Sequence, residues 1–216
     1  MLFEQEIFGK RMMRKFVTSR VLENPEGYRE KMPFLMLRFV VGVGGILVSM
    51  AVAYILGSLI FGPLQDSAMQ FTVSLINIGY FSCRFVAGLW RMILSPYLAQ
   101  YRIPPLTTPE ARRLHRWLWV LATFDIVAIL FGIWIAELGL NYDVFALLSS
   151  LLSGFIVLVN ILMVLVNRRA ISMAIRNRKT AQDVSWVLRT LSKIWAPIVI
   201  AYVIYAWFEL TYNLVL

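Results

Sequence analysis

The chain has 216 residues, 60% of them hydrophobic and only 15% charged, with a formal net charge of +9. A soluble domain is nearer half apolar and a quarter charged, so the composition excludes an ordinary soluble protein and points to a membrane protein. The cations flank apolar runs and no nucleic-acid-binding motif is present, so the charge reads as membrane orientation. The single cysteine, Cys83, leaves no internal disulfide and no cysteine metal cluster.

Residues 1–37 form a basic segment. From Phe8 to Val17 a helical projection puts Phe8, Met12, Met13, Phe16 and Val17 on one side and Lys10, Arg11, Arg14 and Lys15 on the other. That pattern predicts an amphipathic helix lying on an anionic membrane face. The alternative is a solvated helix packed on its own protein. Asn24-Pro25-Glu26-Gly27 is a turn.

Residues 38–216 read as a helical transmembrane domain of five spans, at about 39–61, 71–90, 117–136, 144–166 and 194–216. In the first span Gly45, Ser49, Ala53 and Gly57 recur every fourth residue. Small residues at that spacing share a helix face and let another helix approach closely. The nearby Gly42-Val43-Gly44-Gly45 has no strand before it, so it is no nucleotide fingerprint. Gly62-Pro63 ends this span. The second span contains Asn77 and Arg84, and Arg91, Pro96, Arg102 and Pro104-Pro105 make a stiff basic connection onward.

Thr108 reads as the N-cap of the third span's helix, with Pro109 at the first helical position and Glu110 complementing the positive helix end. Arg112, Arg113 and Arg116 form a cationic collar ahead of Trp117 and Trp119. The lone His115 sits among these arginines and reads as a headgroup contact. Asp125 lies inside the apolar run. An acid there is costly and marks a candidate functional site. Glu137–Asp143 is a short acidic loop, and the fourth span contains Asn160.

Arg168, Arg169, Arg176, Arg178 and Lys179 follow the fourth span. Thr180-Ala181-Gln182-Asp183 reads as a capping-box start for the last helix. Pro197 is expected to act as a hinge there, near the interface. A weak internal echo joins Thr108…Glu137-Leu138 to Thr180…Glu209-Leu210, each 29 residues from Thr to Glu. It favours antiparallel hairpins, spans three and four forming one and span five opening another.

Of 21 cations, 20 fall before span one, between spans two and three, or between spans four and five. The opposite side carries Asp66, Glu137, Asp143 and Glu209. The positive-inside rule then puts the N-terminus in the cytoplasm and the C-terminus outside.

Three polar side chains fall at one depth. Arg84, Asp125 and Asn160 each lie about 10–13 Å from the cytoplasmic edge, at 1.5 Å per residue. Buried charges in membranes pair, so Arg84 and Asp125 are expected to form an intramembrane clasp with Asn160 nearby. The alternative has Arg84 snorkelling to headgroups. No zinc, phosphate-loop, paired-carboxylate or nucleophile-elbow pattern occurs, and Ser153-Gly154 lacks the partners of an intramembrane serine protease. The expectation is a non-enzyme with no cofactor and no metal. The seven tryptophans read mostly as an aromatic belt.

Thr-Pro-Glu-Ala-Arg-Arg-Leu before a Trp-rich span, the basic turn at 168–183, and Lys193-Ile194-Trp195-Ala196-Pro197 with Tyr202, Tyr205 and Trp207 together resemble the N-terminal sensor (paddle) helices of large MscS-like mechanosensitive ion channels. The likeness covers roughly residues 100–216. The family's Gly/Ala-rich pore helix and soluble β-rich vestibule are absent from this sequence. The resemblance implies a tension- or lipid-sensing module used in osmotic protection in a bacterial inner membrane. It also implies partners: membrane lipids, and either further copies in a homo-oligomer, a heptamer by the resemblance, or the pore-forming remainder of a longer chain, with no nucleic acid. The collars at Arg112, Arg113, Arg116 and at Arg168, Arg169, Arg176 would then contact headgroups. Two other readings are a small transporter subunit and a non-catalytic membrane scaffold.

Overall fold

The computed structural model describes residues 28–61, 66–139, 141–179 and 184–215. These residues hold five long helices and no strand: α1 (Tyr28–Phe61), α2 (Ser67–Leu94), α3 (Thr108–Glu137), α4 (Tyr142–Ile175) and α5 (Trp186–Val215). All five are long and apolar enough to cross a membrane. The amphipathic segment at Phe8–Val17, with Lys10, Arg11, Arg14 and Lys15, lies outside the described residues. Large apolar side chains point outward on each helix, among them Leu59, Ile76, Ile129, Leu158 and Phe208. In water such a surface would drive association, whereas hydrocarbon solvates it.

The chain divides into two compact units, 1–103 and 104–216. In the first unit α1 packs on α2. Phe39 meets Phe85 edge-on at 5.2 Å, and Gly88 lets the Phe39 ring close to 3.3 Å from where a Cβ would stand. Asp66 caps α2 by accepting from the Ala68 N–H at 3.1 Å. The helix ends at Ser95, a non-glycine residue in the left-handed region at φ 36°.

The basic connection beyond Ser95 is more than a stiff linker. Arg102 Nε donates to the Leu94 carbonyl at 3.2 Å, and the Ile103 N–H reaches the Ile93 carbonyl at 3.4 Å. The 95–103 segment therefore folds back on its own helix. It carries the fully buried Tyr101 onto Phe34, with ring centres 4.2 Å apart, and Leu35 completes the cluster. This core at the basic end of α1 and α2 was not foreseen from sequence. Tyr101 sits in a polar, proline-flanked stretch with no periodicity to mark it as buried.

The second unit is built around α4, which packs on both α3 and α5. The N-cap of α3 is Thr107, one residue earlier than the sequence reading of Thr108. Glu110 fits this register, because its carboxylate accepts the Thr107 N–H at 2.8 Å. On α3 the buried residues Leu114, Leu121, Ala128 and Ile135 repeat every seventh position and form one packing row.

Helix α4 runs on to Ile175, well past the apolar stretch, since Arg168–Ala174 contains no helix breaker. It ends where Asn177 (φ 50°) and Arg178 (φ 58°) turn left-handed, and the Arg178 N–H closes back on the Met173 carbonyl at 2.9 Å. Helix α5 begins at Trp186, because Val184 is a bend and Ser185 is non-helical. The start is later than the capping-box reading at Thr180–Asp183, residues that lie outside the described ones. The internal echo fails accordingly: Glu137 closes α3, but Glu209 lies inside α5.

Candidate functional site

The three polar residues expected to share one depth divide between the units. Arg84, on α2, is exposed, and its guanidinium carbon stands 5.5 Å from the centre of the Tyr80 ring one turn back. This is cation–π distance. Asp125 lies on the α3 row between Leu121 and Ala128, with its Oδ1 buried and without a hydrogen-bond partner. Asn160 turns its amide to the Ile156 carbonyl of its own helix at 3.0 Å, not to Asp125.

The level of Asp125 within its unit can be read from packing. Phe124 meets Phe155 of α4 at 5.2 Å. Next to Phe155, Gly154 leaves room for Trp207 of α5, whose Nε1 lies 3.6 Å from where a Gly154 Cβ would be. Trp207 Nε1 is itself buried without an acceptor. Trp207 therefore packs between helices, and so does Trp195. Gly154→Ala should be neutral or slightly stabilising, since that contact is ordinary van der Waals distance and alanine is the better helix former. Gly154→Leu should cost about 1–3 kcal/mol by overpacking. Unfolding of both variants in detergent checks the contrast.

At the basic end of the unit, side chains lock α4 to α5. Ser172 Oγ donates to the Ser192 carbonyl at 2.8 Å and accepts from Trp195 Nε1 at 2.9 Å. Ser192 Oγ donates to the Arg189 carbonyl at 2.8 Å. Buried Ala196, one turn beyond Ser192, supplies a small surface on the same face of α5. Neither serine stood out in sequence. A small-residue pattern on both helices near 170 and 192–196 is the signal that could have found them.

Arg178 spans from the end of α4 to the start of α3. It donates to the Pro105 carbonyl at 3.3 Å and to the Glu110 carboxylate at 3.0 Å. Glu110 is in the first turn of α3, ahead of the apolar run. The Thr107 N–H, and after it Arg178, hold its carboxyl below the usual carboxylate range. Two left-handed non-glycine residues in succession cost free energy. They place this guanidinium where it satisfies a carbonyl and an acid together.

The two basic collars differ. Arg112, Arg113, Arg116, Arg168 and Arg169 are exposed, as headgroup contacts require. Arg176 is partly buried. The ridge of Gly45, Ser49, Ala53 and Gly57 lies on α1, and a Cβ at Gly45 or Gly57 would meet no described atom within 4 Å. Pro197 is exposed and α5 continues through it, as α1 continues through Pro33. Among the described residues no group of histidine, cysteine and acid side chains is arranged to hold a metal. Two surface depressions, one along Ala201–Tyr212 of α5 and one between Phe131 and Phe155, are open and lined mostly by apolar side chains. No protein-family model, curated protein or solved structure matches this chain.

Proposed function

We propose that the chain is a membrane-embedded, non-catalytic module that senses bilayer tension or lipid state for a mechanosensitive channel in a bacterial inner membrane. The observation that carries this reading is the combination of five apolar helices with 20 of 21 cations beside alternate ends of the spans. The contacts of Ser172 with Ser192 and of Gly154 with Trp207 occur in opposite chain order on α4 and α5. That order supports an antiparallel arrangement of these two helices, and the charge asymmetry of the sequence favours a cytoplasmic N-terminus and a C-terminus outside. Tension thins a bilayer, and helices whose apolar length no longer matches it tilt. A differential fit to two membrane states then biases a pore formed by partner segments or other copies. The open ridge on α1 suits such a partner helix.

The test is a distance measurement. Spin labels on Leu138 and Trp186, in the full chain reconstituted in thin and thick phosphatidylcholine bilayers, should report a spacing that shifts with thickness. A spacing indifferent to thickness overturns the sensing reading. If cysteine labels at Asp66 and Lys179 react from the same side, the topology fails. The second reading, a transporter subunit, is favoured only by the buried Asp125 oxygen. Loss of vesicle solute uptake in Asp125→Asn would select it.

A further inference from the structure

Two arginines at the basic end of the second unit hold buried donors without an acceptor. Ser172 of α4 and the Ser192 carbonyl of α5 are in contact at 2.8 Å. Arg176 lies one turn beyond Ser172 on the same face, and Arg189 lies one turn before Ser192 on the same face. Since the contacts between these helices run in opposite chain order, both arginines fall one turn further toward the basic end, at a common level. The Nε atom of each is buried and has no hydrogen-bond partner among the described residues. Arg178 is committed to Glu110 and Pro105, so that acid does not serve them. Arg189 also lies near the N-terminus of a 30-residue helix, whose dipole adds positive potential.

Buried N–H donors in folded proteins are satisfied, and two like charges at one level repel unless an anion lies between them. The guanidinium fork matches phosphate oxygens in planar, two-pronged geometry. We infer that Arg176 and Arg189 form a binding site for a phosphate group, set between the end of α4 and the start of α5. The ligand is a phosphate monoester or diester. A phospholipid headgroup and free phosphate share that chemistry, and the site's place at the basic membrane edge gives it access to both. The inference deepens the sensing reading by naming what is bound, and it rests on that reading only for the lipid source.

The experiment uses the full chain purified in an uncharged detergent. Arm one titrates inorganic phosphate, and arm two titrates short-chain phosphatidic acid and phosphatidylglycerol. Both are followed by the rise in unfolding temperature and by retained adducts in native mass spectrometry. Saturable binding in at least one arm is expected. Binding in the second arm alone identifies a headgroup site, and matching affinities identify a free-phosphate site. Arg176→Gln and Arg189→Gln should each weaken binding about tenfold or more, the loss of one charge-assisted hydrogen bond. Lys193→Gln removes the same charge from an exposed position on the same helix and should weaken it far less. Where a Gln variant does not fold, Arg→Lys at that position keeps the charge and loses the fork, and it should still bind more weakly than wild type.

No saturable binding in either arm overturns the site. So does a loss in the arginine variants no greater than in Lys193→Gln. An unfolding temperature that drops in Asp183→Asn without any ligand dependence in wild type would instead make Asp183 the acceptor and overturn it as well. Thickness-dependent spacing that survives in Arg176→Gln separates failure of this site from failure of the sensing reading.

Discussion

Tyr101→Ala is expected to destabilise the first unit by about 3–5 kcal/mol, the range for removing a fully buried aromatic side chain. Tyr101 has no exposed surface, stacks on Phe34 and closes over Leu35. Its loss leaves a cavity where the 95–103 segment meets α1. The stacked pair adds about 0.5–1.5 kcal/mol beyond area burial, so Phe34→Leu should cost part of the same amount. Tyr101→Phe keeps the ring and should lose only about 1 kcal/mol with the hydroxyl. Denaturant unfolding in detergent gives the magnitudes, and limited proteolysis near Ser95–Ile103 reports release of the segment. A Tyr101→Ala cost below about 1 kcal/mol would contradict the packing described.

The second large effect is expected at Ser172. Its hydroxyl both donates across the helix pair and accepts from Trp195, so Ser172→Ala breaks two hydrogen bonds at once. It also leaves the Trp195 indole N–H facing a buried surface without an acceptor. The expected cost is about 2 kcal/mol, at the upper end of what single interhelical bonds contribute in membrane proteins. Ser192→Ala is the informative contrast. There the acceptor is the backbone carbonyl, which the substitution keeps, so the helix-to-helix bond survives and the cost should be less than half. Trp195→Phe removes only the donor to Ser172 and should fall between them. Equal costs for the two serine variants would show that the hydroxyl of Ser172 does not lock the helices.

The legibility of each feature depends on what its signal encodes. The five apolar runs were readable because an apolar stretch of about 18 residues needs no partner to be recognised. Helix ends were less so. The apolar runs end where lipid ends, but α4 ends where the backbone meets a turn, and residues such as Arg168–Ala174 continue a helix in water. The start of α5 was misplaced because Thr180 and Asp183 fit a capping pattern while Ser185 is the last non-helical residue. Tyr101, Ser172 and the pairing of Gly154 with Trp207 depend on which side chains meet across helices. Composition at single positions does not carry that. Depth bookkeeping placed Arg84, Asp125 and Asn160 along the membrane normal but carried no information on azimuth. Asn160 was thus free to bond its own helix. The N-cap at Thr107 shows the reverse case. A Thr-x-x-Glu spacing was present in the sequence, and Glu110 chose the threonine three residues before it.

The continuation of α4 past its apolar stretch makes it a lever with unequal arms. In the membrane placement proposed above, the arm beyond the apolar stretch, residues 167–175, is about 14 Å long at 1.5 Å per residue. A rotation of roughly 10° about the lipid boundary swings its tip by about 2.4 Å on that rise. Arg178, just beyond the tip and latched to Glu110, couples that swing to the foot of α3. A slight lean within the oily layer thus becomes a displacement in water comparable to a hydrogen-bond length.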